Sequence, residues 1–255
     1  DKNFLISQTI SKISFFYQKA NQSELVYETY NLLTREFPES PYSIRGFYWL
    51  ANNLFTHNKQ IESIPLYLKS IINSTKPIYT FKSASSENQI YLDAFNKERL
   101  TTSEIGKIIK DLYKFLGKDN IKEEYQLLWE TAHKYVELSQ FDKAITTYKE
   151  ISTQKENPLS CLAKYLISVC LYYQGNDRDT IIELMLFLQE IPSTEITSKD
   201  TPDQVFKKTL SIYATFLLGK CYFNIGNYSK SEQILKMVSE KSLVAEYKLA
   251  QAYEF

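Results

Sequence analysis

An all-α fold, a solenoid of helical hairpins with an irregular helix pair in its middle, is what this chain of 255 residues predicts. Three observations carry it. A small residue flanked by larger ones at fixed offsets recurs at Ser14, Ala51, Ala132, Ser168, Gly219 and Ala250. Glycine and proline are scarce, at 6 and 7, which favours helix over hairpin-rich β structure. Hydrophobic residues make up 44%, enough to fill a core, so global disorder is not expected. One hairpin cannot bury its apolar face alone, so the recurrence implies stacked neighbours.

The first hairpin runs from about Phe4 to Phe37. Ile10, Ile13, Ser14 and Tyr17 form a helical stripe, Asn21-Gln22-Ser23 is the turn, and Val26, Tyr30 and Leu33 mark the second helix, ended by Pro38. Ser40 can cap the next helix, with Pro41 in its first turn. That helix carries Phe47, Leu50, Ala51 and Leu54. Its partner carries Ile61, Ile64, Tyr67 and Ile71, and Pro65 sets its start near Ser63 or kinks it. Thr75 to Asn88 reads as a linker containing Pro77, Ser83, Ser85 and Ser86. From Glu87 to Lys118 the spacing is lost. A short helix over residues 88–97 precedes one from Thr101, where Glu104 completes a capping box, to Leu116 before Gly117. Ile105, Ile108, Ile109, Leu112 and Leu116 form the apolar face of that helix.

The spacing returns near Glu124. Leu128, Thr131, Ala132 and Tyr135 lead to Phe141, Ala144, Tyr148 and Ile151. Asn157-Pro158 opens the next hairpin, whose turn is Gly175-Asn176 and whose second helix carries Thr180, Leu184 and Phe187. A polar loop of about a dozen residues follows Pro192, a length more often functional or mobile than idle. Thr201-Pro202 with Gln204 restarts the helix. From Thr215 to Val238 the pattern is clearest. Leu218-Gly219 precedes Tyr222, Gly226-Asn227 breaks the helix, and Ser231, Leu235 and Val238 follow at helical spacing. Gly219 and Ser231 would let the two helices approach closely, with Tyr222 and Leu235 filling the space around them. Leu249, Ala250 and Tyr253 begin the pattern once more before Phe255, as a capping helix or the start of a further repeat.

The leucine-glycine pair, the aromatic three residues later and the small and large residues at fixed offsets resemble the tetratricopeptide (TPR) repeat. Thr215 stands where that family prefers Trp, and Ser231 where it prefers Ala. The resemblance implies TPR-like repeats over 1–77, an irregular helical insertion over 78–120, and further TPR-like repeats over 121–255. The stretch Phe37 to Ala51 is similar to TPR modules of bacterial cell-envelope proteins, including outer-membrane barrel-assembly lipoproteins. That similarity implies a bacterial envelope or periplasmic setting, with a cytoplasmic one as the alternative. The start at Asp1 is compatible with a removed signal or anchor, through which the chain would associate with a membrane.

Thirty basic residues balance thirty acidic ones, so no global electrostatic footprint for nucleic acid or an anionic membrane is present. No apolar run reaches the ~18 residues a membrane-spanning helix needs. Cys161, Cys170 and Cys221 have neither disulfide-framework nor zinc-site spacing, and Cys170 and Cys221 occupy equivalent repeat positions, as small core residues would. Phosphate-loop, dinucleotide, zincin and nucleophile-elbow motifs are lacking, and the two histidines, His57 and His133, have no carboxylate or cysteine cluster nearby in sequence. A non-enzymatic protein without cofactor or metal is expected.

Residues three before and four after each small anchor share a face of the first helix with the residue one after it. Aromatics crowd there: Tyr48, Phe55, Trp129, Tyr165, Tyr172, Phe216, Phe223 and Tyr247. In TPR proteins this face lines the concave groove. The resemblance therefore implies a groove that receives an apolar or amphipathic segment of a partner protein, with Trp129 and Phe216 supplying much of the affinity. Two alternatives stay open. The aromatics are already buried by curvature or by the irregular helices, or they form a closed pocket for a small molecule or lipid. A carboxylate clamp of Lys and Asn pairs is not expected, since Asn52 follows Tyr48 and Lys220 stands alone. Lys107, Lys110, Lys114, Lys118 and Lys122 read as a solvated face, or as a dock for an acidic partner or phospholipid headgroups.

Overall fold

The small anchor residues are where the chain closes most tightly. Ser14, Ala51, Ala132 and Ser168 are all 0% exposed, and Gly219 is buried. The computed structural model describes residues 2–76, 86–117, 121–154, 157–191, 196–197 and 199–239, with the side chains of 86–88 and 239 excepted. Ala250, Leu249, Tyr253, Tyr247, Lys118, Pro77, Ser83 and Ser85 lie outside the described residues. Among the described residues the chain is all-helical, with twelve helices packed on their neighbours in series. They are α1 (Lys2–Lys19), α2 (Ser23–Glu36), α3 (Pro41–Thr56), α4 (Gln60–Ser74), α5 (Ser86–Glu98) and α6 (Thr102–Phe115). Then follow α7 (Glu123–Glu137), α8 (Phe141–Ser152), α9 (Ser160–Tyr173), α10 (Asp177–Gln189), α11 (Pro202–Asn224) and α12 (Tyr228–Ser239). No helix among the described residues is long and apolar enough to cross a membrane.

Five of the helix pairs are built to one pattern. Seven residues after each anchor the backbone turns left-handed: Asn21 (φ 55°), Asn58 (φ 60°), Ser139 (φ 55°), Gly175 (φ 77°) and Gly226 (φ 79°). Each turn is closed by the two bonds that satisfy carbonyls at a helix C-terminus. The outer ones run from the amides of Gln22, Lys59, Gln140, Asn176 and Asn227 to the carbonyls of Tyr17, Leu54, Tyr135, Leu171 and Tyr222, at 2.8–3.0 Å. The inner ones run from the left-handed residues themselves to Gln18, Phe55, Val136, Tyr172 and Phe223, at 2.9–3.3 Å. The second helix then restarts two residues beyond each left-handed residue. Its inward positions repeat as well. Val26, Ser63, Ala144, Thr180 and Ser231 are buried, as are Tyr30, Tyr67, Tyr148, Leu184 and Leu235.

The chain divides into two compact units, Asp1–Ile108 and Ile109–Phe255. In the first, α1 packs on α2, α2 on α3, α3 on α4, and α5 lies against α3. In the second, α7 to α12 pack successively, and the first helices α9 and α11 also touch. The segment 78–120, set apart in the sequence by its lost spacing, is shared between the units, because the boundary falls inside α6.

Local signals account for several helix ends. Thr101 and Glu104 form the expected capping box, with the Thr101 amide donating to Glu104 Oε2 at 2.8 Å and the Glu104 amide to Thr101 Oγ1 at 3.2 Å. Thr201 and Gln204 do the same at α11, with Pro202 in the first turn. Pro65 behaves differently from expectation. Helix α4 begins at Gln60, not near Ser63, and carries Pro65 inside it. Pro65 falls just past the first turn, so only one helical donor is lost.

Candidate functional site

The aromatic stripe splits into core and surface members. Trp129 and Tyr165 are 2% and 3% exposed. Trp129 packs against Tyr148 with ring centroids 5.8 Å apart, and Tyr165 against Phe187 at 6.4 Å. In both cases a large residue of the following second helix reaches over the ring. These two are therefore core residues, closed to solvent. Tyr48, Phe55, Tyr172, Phe216 and Phe223 are half-buried, each with part of its ring in solvent. Tyr247 lies outside the described residues.

In the C-terminal unit, Tyr172 on α9 and Phe216 on α11 are joined by a cation. The Lys220 ammonium lies 5.1 Å from the Tyr172 ring centre and 6.0 Å from that of Phe216. Phe223 continues the row about two turns on from Phe216 and meets Tyr228 edge-on at 5.2 Å. Tyr228 is 62% exposed, so this end of the row is open to water. Two buried thiols, Cys170 and Cys221, lie on the same helices as the row. Burial pushes the Cys170 thiol up to about 12 and raises the Cys221 thiol too, so both are neutral packing groups.

In the N-terminal unit the corresponding face is a cavity of about 940 Å³. Helices α1, α3 and α5 wall it, with Tyr30 of α2 and Glu104 of α6 at its margin. Phe15, Tyr48, Trp49 and Ile90 give it an apolar lining. Phe55 stands apart from it, packed edge-on against Tyr67 at 6.2 Å. Asn52 is occupied within its own unit: its amide donates to the Tyr48 carbonyl at 2.9 Å and accepts from the Tyr67 hydroxyl at 3.1 Å.

The polar groups of this cavity were not expected from the repeat pattern. Arg45 pairs with Glu104 and donates to the Arg99 carbonyl at 2.8 Å. Gln8 donates to the Tyr42 hydroxyl at 2.8 Å, and Gln18 to that of Tyr30 at 3.4 Å. Burial, helped by the charge of Glu98, pushes the Tyr30 phenol up to about 12 against the pull of Arg45 and Gln18. Glu98 itself is half-buried on the α5 wall. Burial raises its carboxyl above the ordinary glutamate value, and Arg45 and Lys97 oppose the shift. Arg45 was detectable as the one charge in the apolar Pro41–Thr56 helix. Glu98 was not, because α5 lies outside the repeat frame.

The remaining candidates are less concentrated. Lys107, Lys110 and Lys114 are exposed along one side of α6, and Lys122 is exposed before α7. His57 is exposed, with Nδ1 2.7 Å from the Asn53 carbonyl at the end of α3. His133 is 2% exposed, with Nε2 3.7 Å from Glu137. Among the described residues no group of three His, Cys, Asp or Glu side chains is placed to hold a metal ion. Comparison with protein-family models, with curated proteins and with solved structures finds no match to this chain.

Proposed function

We propose that this chain is a non-catalytic, TPR-like scaffold that holds an apolar or amphipathic segment of a partner protein against its first-helix face. The observation that carries the reading is the row Tyr172, Phe216 and Phe223, left half-open on α9 and α11 with Lys220 across it. Aromatic rings on rigid helices bring large contact area with few rotamers to immobilise, and such residues dominate binding energy at interfaces. The repeated turn geometry of the five hairpins supports the TPR-like reading, since each presents its first helix in the same register to its second. The envelope setting is proposed on the resemblance of Phe37–Ala51 alone.

The test is site-specific photocrosslinking in cells that express the chain. A benzophenone side chain at Tyr172 should give a discrete crosslinked protein, and the product should fall at least tenfold when Phe223→Ala is added. The same probe at Ile182, exposed on α10, should give none of that product. Equal crosslinking from both positions, or none from Tyr172, overturns the reading.

The second reading, a small-molecule site, is favoured by one specific observation, the cavity of the N-terminal unit. Its volume falls in the range of ligand pockets, and its apolar walls carry a few convergent polar groups.

A further inference from the structure

We propose that the cavity of the N-terminal unit is a binding site for an organic cation, an ammonium or guanidinium carried on an apolar body, with Glu98 as its counter-ion. It stands independently of the partner reading, which rests on the C-terminal unit.

The charges of the cavity decide the sign of the ligand. Arg45 is already committed to Glu104 and to the Arg99 carbonyl. An anionic ligand would have to displace Glu104 and then lie beside a second carboxylate. Glu98 is the inner acid left over: among the described residues it makes no hydrogen bond, and no ion pair within 4 Å. Arg45, Glu98 and Glu104 together leave one negative charge in a partly dry space, which a monocation neutralises. Lys12, Asp93 and Lys97 also line the cavity as exposed side chains; Lys97 acts on Glu98 less than Arg45 does, and its charge, like the other two, lies in water, where charges are screened.

The walls suit the rest of such a ligand. Tyr30 and Trp49 pack together, ring centres 5.6 Å apart, and Tyr48 and Phe15 add further rings. Aromatic faces attract organic cations through the ring quadrupole, and they cover the alkyl or aryl body that carries the charge. Phe15, Phe16 and Ile90 are 51%, 67% and 56% exposed at the mouth, so entry requires no opening of the fold. A carboxylate held in a partly desolvated, aromatic-lined cavity costs the empty protein free energy, which an entering cation recovers.

The same chemistry can come from a lysine or arginine side chain of a peptide or from a free amine, and the test separates them. The probes are 4-phenylbutylammonium, its neutral isostere 4-phenylbutanol, and a blocked Phe-Arg-Phe peptide, titrated into the full chain. The readout is the indole N–H resonance of each tryptophan. Trp49 lines the cavity, whereas Trp129 lies in the core of the other unit. The ammonium probe should shift Trp49 but not Trp129, and should bind at least tenfold more tightly than the alcohol. Glu98→Gln should abolish that preference, and Glu62→Gln, exposed on α4 outside the cavity, should change it less than twofold. The wild-type comparison of cation with alcohol needs no variant, so a misfolded Glu98→Gln protein leaves the test intact. Tighter binding of the peptide than of the amine assigns the site to a partner's side chain, and the reverse to a free amine. Equal binding of ammonium and alcohol, no shift of Trp49 at millimolar probe, or an unchanged preference in a folded Glu98→Gln protein overturns the proposal.

Discussion

Leu235 rests on the bare α-carbon of Gly219. A β-carbon built on Gly219 would lie 2.6 Å from Leu235 Cδ2 and 2.7 Å from its Cγ. Beside this contact the Ser231 hydroxyl donates to the Gly219 carbonyl at 2.8 Å, in a buried position. Two helices are thus held together at a point where one of them has no side chain. Gly219→Ala gains ~1 kcal/mol of helix propensity. It must also push the branch point of Leu235 away, an overpacking that costs about 1–3 kcal/mol. The variant is expected to lower the stability of the C-terminal unit, read as a lower urea midpoint. Combined with Leu235→Ala, it should cost less than the sum of the two single changes, because the clash is gone. Strict additivity would show that the helices are not in contact there.

The left-handed turns make a second, opposite pair of predictions. Ser139 adopts φ 55° where the equivalent positions of the last two hairpins are Gly175 and Gly226. A side chain in that region costs about 1–2 kcal/mol, while glycine there costs only its greater freedom in the unfolded chain. Ser139→Gly should therefore stabilise by about 0.5–1 kcal/mol. Gly226→Ala, at φ 79° with open space around it, should destabilise by about 1 kcal/mol through backbone strain alone. Denaturant midpoints moving in the same direction for both variants would contradict the shared turn geometry.

The hairpins were legible because each carries the same physical constraint at the same spacing. A small residue is needed where two helices touch, and a turn residue is needed seven positions later. Ser14, Gly219, Gly175 and Gly226 announce these constraints in their chemistry. Asn58 and Ser139 do so weakly, yet they adopt the same conformation because the flanking bonds demand it. Inward-facing positions follow from helical period. What the spacing could not show was the depth of the −3 position. A residue there faces the groove or the core according to the size of the following second helix's side chains. Tyr148 and Phe187 cover Trp129 and Tyr165, whereas Phe216 at the same offset stays half-open, with Lys220 beside its ring. The cavity was illegible for a different reason, since one of its walls is α5, a helix outside the frame.

That division reassigns what alanine substitutions should do. Trp129→Ala removes a buried ring packed on Tyr148, and the loss plus the space left behind costs about 3–5 kcal/mol. It should lower the thermal midpoint and reduce the helical circular dichroism of the C-terminal unit at moderate temperature. Phe216→Ala and Phe223→Ala remove half-exposed rings. They should leave the helical signal intact, while weakening partner capture at least tenfold, or ~1.4 kcal/mol of binding free energy. Full stability of Trp129→Ala, or unaltered capture by the double variant Phe216→Ala/Phe223→Ala, would reverse the assignment of these rings.

Glu98 should give the N-terminal unit two pH dependences of opposite sign. Its carboxyl titrates above the ordinary value of 4.5 because burial disfavours the charged form. For the empty protein, its contribution to stability is fully present below the unfolded value and is lost as pH rises through the raised folded one. Cation binding needs the carboxylate, so affinity is full above the folded value and falls as the group takes up a proton. The neighbours do not reverse either sign. Arg45 on α3 is paired with Glu104, and Tyr30 on α2 and Tyr42 on α3 are raised further above 10. The other charged groups that face the cavity are Lys12 on α1, Asp93 and Lys97 on α5, and Glu104 on α6. As the pH is lowered from 7.5, the affinity for 4-phenylbutylammonium should begin to fall in the wild type before the ordinary glutamate range is reached, and stay level in Glu98→Gln. Over the same range the Glu98→Gln protein, free of the buried charge, should be more stable than the wild type at pH 7.5, and the gap should narrow at pH 5. An affinity that rises on acidification, or a stability gap that widens, would mean that Glu98 is not the titrating group of the cavity.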